Sequence, residues 1–147
     1  MSFSLRNDLL QGWRVLVVDD DPVSIEIAET LLRMCGADVG TAPNGQEGLA
    51  RAQNEKPDFI VSDLSMPHMD GWEMVKRLKN DRATADIPVI ALTAHAKHDD
   101  RTRAIAAGFH NYLSKPLDPT NFVRDLLTLL LDVPELGARA RALQDEF

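Results

Sequence analysis

The chain of 147 residues has one cysteine, Cys35, so it can form no internal disulfide, and its composition points to no oxidising compartment. It lacks an apolar run long enough to cross a bilayer. Its first residues, Met1 to Asp8, lack the apolar centre of a signal peptide. It also lacks an excess of positive charge: the formal net charge of −7 argues against a nucleic-acid surface spread over the whole domain. There is no low-complexity tract and no residue-level repeat. These absences predict a cytoplasmic protein with no membrane span and no direct nucleic-acid partner, although the composition leaves a local basic patch open. What is present is enough length, and enough apolar residues at 44%, for one domain with a real core.

The stretch Phe59-Ile-Val-Ser-Asp-Leu-Ser-Met-Pro-His-Met-Asp-Gly71 organises the rest. Phe59 to Val61 reads as a short buried strand running out at Asp63. Pro67 and the pair Asp70-Gly71 mark a loop before a helix capped by Asp70. Upstream, Arg14 to Val18 is a nearly continuous apolar strand, and Trp13 before it is expected to pack on the sheet edge. It stops at Asp19-Asp20-Asp21-Pro22, where Asp21 suits the cap and Pro22 the first position of a helix. Val23, Ile27, Leu31 and Ala28, Leu32, Cys35 recur at helical spacing, with Gly36 as the stop. Ala37 to Thr41 is a weaker strand, and Gln46 to Asn54 a second helix. Pro88 to Leu92 is a fourth strand and Lys97 to Ala107 a fourth helix ended by Gly108. His110 to Ser114 is a fifth strand, and Asp118-Pro119 is expected to cap a fifth helix reaching about Leu131.

Five strand–helix units in strict alternation predict parallel βαβ units. They fit a flavodoxin-like, doubly wound, five-stranded parallel sheet of order 2-1-3-4-5, in which ligands bind at the carboxyl edge of the strands. A barrel would need eight units and about 250 residues. Asp19 and Asp20, Asp63, Thr93 and Lys115 follow the first, third, fourth and fifth strands, so the alternation alone puts them on one edge. Three clustered carboxylates repel one another unless a cation sits among them. Oxygen ligands suit a hard ion such as Mg²⁺. A lysine ammonium and a threonine hydroxyl can each meet an oxygen of a phosphoryl group, while the Asp63 carboxylate supplies a nucleophile. This chemistry is phosphoryl transfer onto an aspartate.

The same residues resemble the receiver domain of two-component response regulators. The matching motifs are Val-Leu-Val-Val-Asp-Asp at 15–20, Asp-Leu-Ser-Met-Pro-His-Met-Asp-Gly at 63–71, Ala-Leu-Thr-Ala at 91–94 and Tyr-Leu-Ser-Lys-Pro at 112–116. The resemblance spans about residues 13–131, leaving a short leader, 1–12, and a tail, 132–147, with a helical pattern. It implies that Asp63 is the phosphoacceptor. It further implies that Asp19, Asp20, Asp63 and the backbone carbonyl of Ser65 hold Mg²⁺, Asp19 largely through water. Lys115 and the Thr93-Ala94 pair would meet the phosphoryl group, the Lys115–Pro116 bond would be cis, and Tyr112 would turn inward behind Thr93. Ser65 and His95, each two residues past a site residue, would tune the phosphoryl lifetime. The implied partners are a histidine kinase or histidine phosphotransfer protein, and a downstream target on the face of the fourth helix, fifth strand and fifth helix. Because the sequence stops soon after the receiver and Met1 lies close to the first strand, the expectation is a stand-alone regulator rather than a piece of a hybrid kinase, and a phosphoacceptor rather than an enzyme.

Two other readings use the same edge. A haloacid-dehalogenase-like phosphatase also has a strand-end aspartate nucleophile with Mg²⁺, but it needs a second acid where this chain has Ser65. A pseudo-receiver scaffold has no use for the full acidic set, Thr93 and Lys115. His95, His98 and Asp99-Asp100 read as a solvated helix start rather than a transition-metal site. His68 and His110 read as surface residues, and Cys35 as a small buried apolar side chain. In the fifth helix Phe122, Val123, Leu126, Leu129 and Leu130 form a core stripe, with Leu127 and Leu131 on its flank. Either the tail from Pro134 to Phe147 covers that flank or a partner does, in a homodimer or a kinase complex.

Overall fold

A computed structural model of the chain describes residues 10–94, 100–133 and 136–139. Five parallel strands, β1 (Arg14–Val18), β2 (Asp38–Ala42), β3 (Phe59–Asp63), β4 (Val89–Thr93) and β5 (Asn111–Ser114), form one sheet in the order β2-β1-β3-β4-β5. Between and after them run α1 (Pro22–Met34), α2 (Gly45–Glu55), α3 (Gly71–Lys79), α4 (Asp100–Ala107) and α5 (Phe122–Leu129). The doubly wound sheet is as expected. The strands read as unbroken apolar runs because both faces are covered. Val15, Val17, Phe59, Val61, Ile90 and Leu92 pack with residues of α1 and α5, while Leu16, Val18, Ile60, Val89 and Ala91 pack with residues of α2, α3 and α4.

The helix starts follow local chemistry. The side chains of Asp21, Asn44 and Asp70 accept from the N–H groups of Val23, Glu47 and Glu73, which caps α1, α2 and α3. Gly36 and Gly108, past the ends of α1 and α4, have positive φ, as their stop role requires. Two details differ from the sequence reading. Asp118 does not cap α5: its Oδ1 accepts from the Thr120 N–H and its carbonyl from Asn121 and Phe122, so it closes a separate turn and the helix begins at Phe122. In α1, Ala28, Leu31, Leu32 and Cys35 face the sheet, but Val23 is 63% exposed and Ile27 36%. The apolar period of α1 therefore describes two faces rather than one.

The amino edge of the strands is closed by segments flanking the strand–helix units. Trp13 is buried, edge-on to Phe59 with centroids 5.8 Å apart, and the guanidinium carbon of Arg139 lies 4.1 Å from its ring centroid. Arg139 is also 3.5 Å from Asp58. Leu10, Val133 and Leu136 join the same core as Leu127 and Leu130. Leu127 is thus buried by this chain itself. Ala140 and Leu143, the rest of the tail pattern, lie outside the described residues, as does the leader before Leu10.

Candidate functional site

At the opposite edge, β1 ends in Asp19 and Asp20 and β3 in Asp63. Their carboxylates come together: one oxygen of each lies within 4.8 Å of the others. Asp19 is fully buried, Asp63 half-buried and Asp20 exposed. Asp19 Oδ1 accepts from the Asp21 N–H at 2.9 Å, which turns the chain from strand into helix cap. Asp63 Oδ1 accepts from the Leu64 N–H at 2.8 Å. The loop beyond is held by close approach. Gly71 donates to Leu64 O at 2.9 Å, and a Cβ on Gly71 would collide with the Asp63 carbonyl oxygen.

Lys115 reaches in from the end of β5. Its Nζ is 2.8 Å from Asp19 Oδ2 and 3.5 Å from Asp63 Oδ2. The shorter contact is an ion pair that meets the buried Asp19 carboxylate. Burial alone would lower the Lys115 pKa; the Asp19 and Asp63 carboxylates outweigh it, and the ammonium is held above the usual lysine range. Asp63 moves the other way. Desolvation, then repulsion from Asp19, raises its pKa from 3.8 to about 6, against the pull of Lys115 and the Leu64 N–H. Three carboxylates thus share one ammonium. This surplus of negative charge over one ammonium is a donor set that suits a hard divalent cation.

Thr93 ends β4 and is buried, next to exposed Ala94; β4 pairs with both β3 and β5, which sets Thr93 beside the ends that carry Asp63 and Lys115. The model of the response regulator receiver domain matches residues 15–127. The chain belongs to this receiver family. The receiver is 43% identical over 110 residues to a 14.6 kDa protein of Leptolyngbya boryana, covering 75% of this chain and 84% of that one. With protein PilH of Pseudomonas aeruginosa it shares 33% over 117 residues, 80% of this chain and 97% of PilH. The DNA-binding dual master transcriptional regulator RpaA of a Synechocystis strain is 38% identical over 130 residues, but there the chain spans only 48% of the relative's length. Among solved structures, the chemotaxis response regulator CheY4 of Vibrio cholerae superposes with a TM-score of 0.76 at 32% identity, covering 80% of this chain and 98% of that one. The receiver domain of sensor histidine kinase PA1611 from Pseudomonas aeruginosa, with magnesium coordinated in its active-site cleft, gives 0.73 at 30% identity, covering 81% and 98%.

The receiver's other expected residues are spread around this centre. Ser65 is exposed in the loop after Asp63. Tyr112 is part-buried on β5, packed against the cluster that includes Met74 and Phe109. The Lys115–Pro116 peptide bond is cis. His95, His98 and Asp99 lie outside the described residues. His68 is exposed, as expected. His110 is not a plain surface residue: its Nε2 lies 2.6 Å from Asp132 Oδ1 and 2.9 Å from Leu129 O, tying the start of β5 to the end of α5.

One feature of the site escaped the sequence reading. Val23, Ser24 and Ile27 of α1 face Pro116 and Leu117 across a groove of about 430 Å³ that also reaches Asp21, Ala94 and Lys115. In sequence, Val23 and Ile27 look like core because they share the apolar period of the helix. The available signal was their place in its first two turns, immediately after the acidic cluster.

Proposed function

We propose that this receiver accepts a phosphoryl group on Asp63 from a phosphohistidine of a histidine kinase or phosphotransfer protein, and thereby changes which partners it binds. The observation that carries the reading is the convergence of Asp19, Asp63 and Lys115 from three strand ends, with carboxylates in excess of cations. Asp19, Asp20, Asp63 and the Ser65 carbonyl would hold Mg²⁺, which supplies charge neutralisation for the phosphoryl oxygens. The Asp63 carboxylate forms the new O–P bond in line as the N–P bond of the phosphohistidine breaks. The electron pair returns to the imidazole nitrogen. Lys115 holds one phosphoryl oxygen, and the Thr93 hydroxyl with the Ala94 backbone N–H takes another. Thr93 and Tyr112 then couple the new charge to the face of α4, β5 and α5, where a downstream protein binds.

The groove between α1 and the Pro116-Leu117 turn fits the phosphodonor. It is apolar, it borders Lys115, and exposed Val23 and Ile27 would otherwise cost contact with water. A helix laid there would bring its phosphohistidine to Asp63. The reading extends to a cytoplasmic, stand-alone regulator, in keeping with relatives such as PilH that are matched over 97% of their length. Among the described residues no helix is long and apolar enough to cross a membrane. The packing of Leu10, Val133 and Leu136 into the core supports a domain that extends beyond 13–131 on both sides. A homodimer is not needed to cover Leu127. Ser65 and His95 set the phosphoryl lifetime, which swapping both and timing acyl-phosphate decay would test.

The test is intact mass after incubation with Mg²⁺ and acetyl phosphate, for the wild type and Asp63→Asn. One added phosphoryl group in the wild type alone is the expected result. Mg²⁺ binding without an adduct, across small and protein donors, would make the chain a scaffold. Steady phosphate release without an adduct would make it a phosphatase.

A further inference from the structure

Trp72 is the second residue of α3, directly after Gly71, which is packed on the Asp63 carbonyl. Its indole meets the buried Phe109 ring edge to face, with centroids 5.6 Å apart and planes at 89°. The Arg103 guanidinium of α4 lies over the same indole, 5.3 Å from its centroid. Arg103 is also 3.7 Å from Asp100 in the first turn of α4. Trp72 and Tyr112 pack against one apolar cluster that contains Phe109 and Ala104. One side chain therefore joins the loop behind Asp63, the helix α4 and the turn into β5.

Among the described residues, little of α4 is otherwise buried. Ala104 is the one buried residue of this helix, and Ile105 is 46% exposed. A helix anchored so lightly sits at the low end of local stability, where a single stacked pair is a large share of what fixes its position.

We propose that the Trp72–Arg103 stack is a latch that holds α4 in its unphosphorylated position, with Arg103 as a positioning residue for the Asp63 site. This rests on the phosphoacceptor reading. Loading Asp63 draws the Thr93 hydroxyl toward the phosphoryl oxygens and works against the latch. An exposed cation–π contact biases such an equilibrium by about two- to five-fold. By linkage, removing it favours the loaded state by the same factor.

Beryllium fluoride, a stand-in for the phosphoryl group, tests this when titrated with Mg²⁺ into wild type, Arg103→Ala, Arg103→Lys and Trp72→Phe by calorimetry. Arg103→Ala is expected to bind about two- to five-fold more tightly. Arg103→Lys, which keeps a cation, should fall between it and the wild type, and Trp72→Phe should shift the same way as Arg103→Ala. A packing role alone would lower thermal stability and leave these affinities equal. Equal or weaker binding by Arg103→Ala overturns the latch. No binding to the wild type, with Mg²⁺ alone still bound, overturns the phosphoacceptor reading and the latch with it.

Discussion

Replacing Asp63 by asparagine should stabilise the metal-free protein, and only above mildly acidic pH. The carboxyl's pKa is raised from 3.8 to about 6 by burial and by Asp19. A shift of about 2 units corresponds to about 3 kcal/mol between protonation states. Lys115 lies between the two carboxylates and the group is only half-buried, so about 1–3 kcal/mol is the range to expect. The sign follows from linkage. The folded state holds this proton more tightly than the unfolded chain does, so the penalty is absent below about pH 4, grows up to about pH 6, and is complete above that. The asparagine amide never ionises. The stability gap between the variants should therefore rise between pH 4 and 6.5 and then stay level, while the titrations of groups remote from Asp63 cancel in the difference. For a chain of this size the full gap is about 3–10 °C in Tm. Chemical and thermal unfolding of both variants at several pH values, with a chelator present, measure it. Saturating Mg²⁺ should close the gap, since at a hundred times Kd it adds about 2.7 kcal/mol to the wild type. The reasoning is refuted if Asp63→Asn is no more stable than wild type at pH 7.5, or if the gap does not change with pH.

Three further outcomes follow from other parts of the fold. Truncation after residue 132 removes the buried Val133 and Leu136 and uncovers Trp13, so it should cost about 3–5 kcal/mol in urea unfolding and shift tryptophan emission to the red; unchanged emission would show that the segment does not pack there. Gly71→Ala places a methyl group against the Asp63 carbonyl, and should cost about 1–3 kcal/mol and weaken Mg²⁺ binding as the carboxylate is displaced, both readable by melting with and without Mg²⁺. Arg33 and Arg51 donate to Val39 O at 2.7 Å and Thr41 O at 2.6 Å on the free edge of β2; replacing both with alanine should cost about 1–3 kcal/mol and make light scattering depend on protein concentration, because the uncovered edge can pair with another chain.

Much of this protein was legible in order along the chain. The alternation of apolar runs with helical periods, punctuated by Asp21-Pro22, Asp70-Gly71 and Gly108, specified five units, and a parallel sheet then had to bring every strand end to one edge. That is why Asp19, Asp20, Asp63, Thr93 and Lys115 could be grouped from their order alone: backbone topology, not side-chain detail, carries them there. Tertiary packing decided the rest. Whether Val23 and Ile27 lie inside or outside depends on how α1 rolls on the sheet, which periodicity leaves open over two faces. That Asp118 closes its own turn and α5 begins at Phe122 depends on backbone hydrogen bonds local composition does not rank. The burial of Leu127 under Val133 and Leu136, Arg139 over Trp13, and Arg103 over Trp72 join residues that are distant in sequence. Likewise, the raised proton affinity of Asp63 exists only once the fold half-buries it and sets Asp19 beside it. A residue's type and spacing set where the chain can turn and which face is apolar; the partners it meets across the core, and the field it feels there, arise only when the layers close.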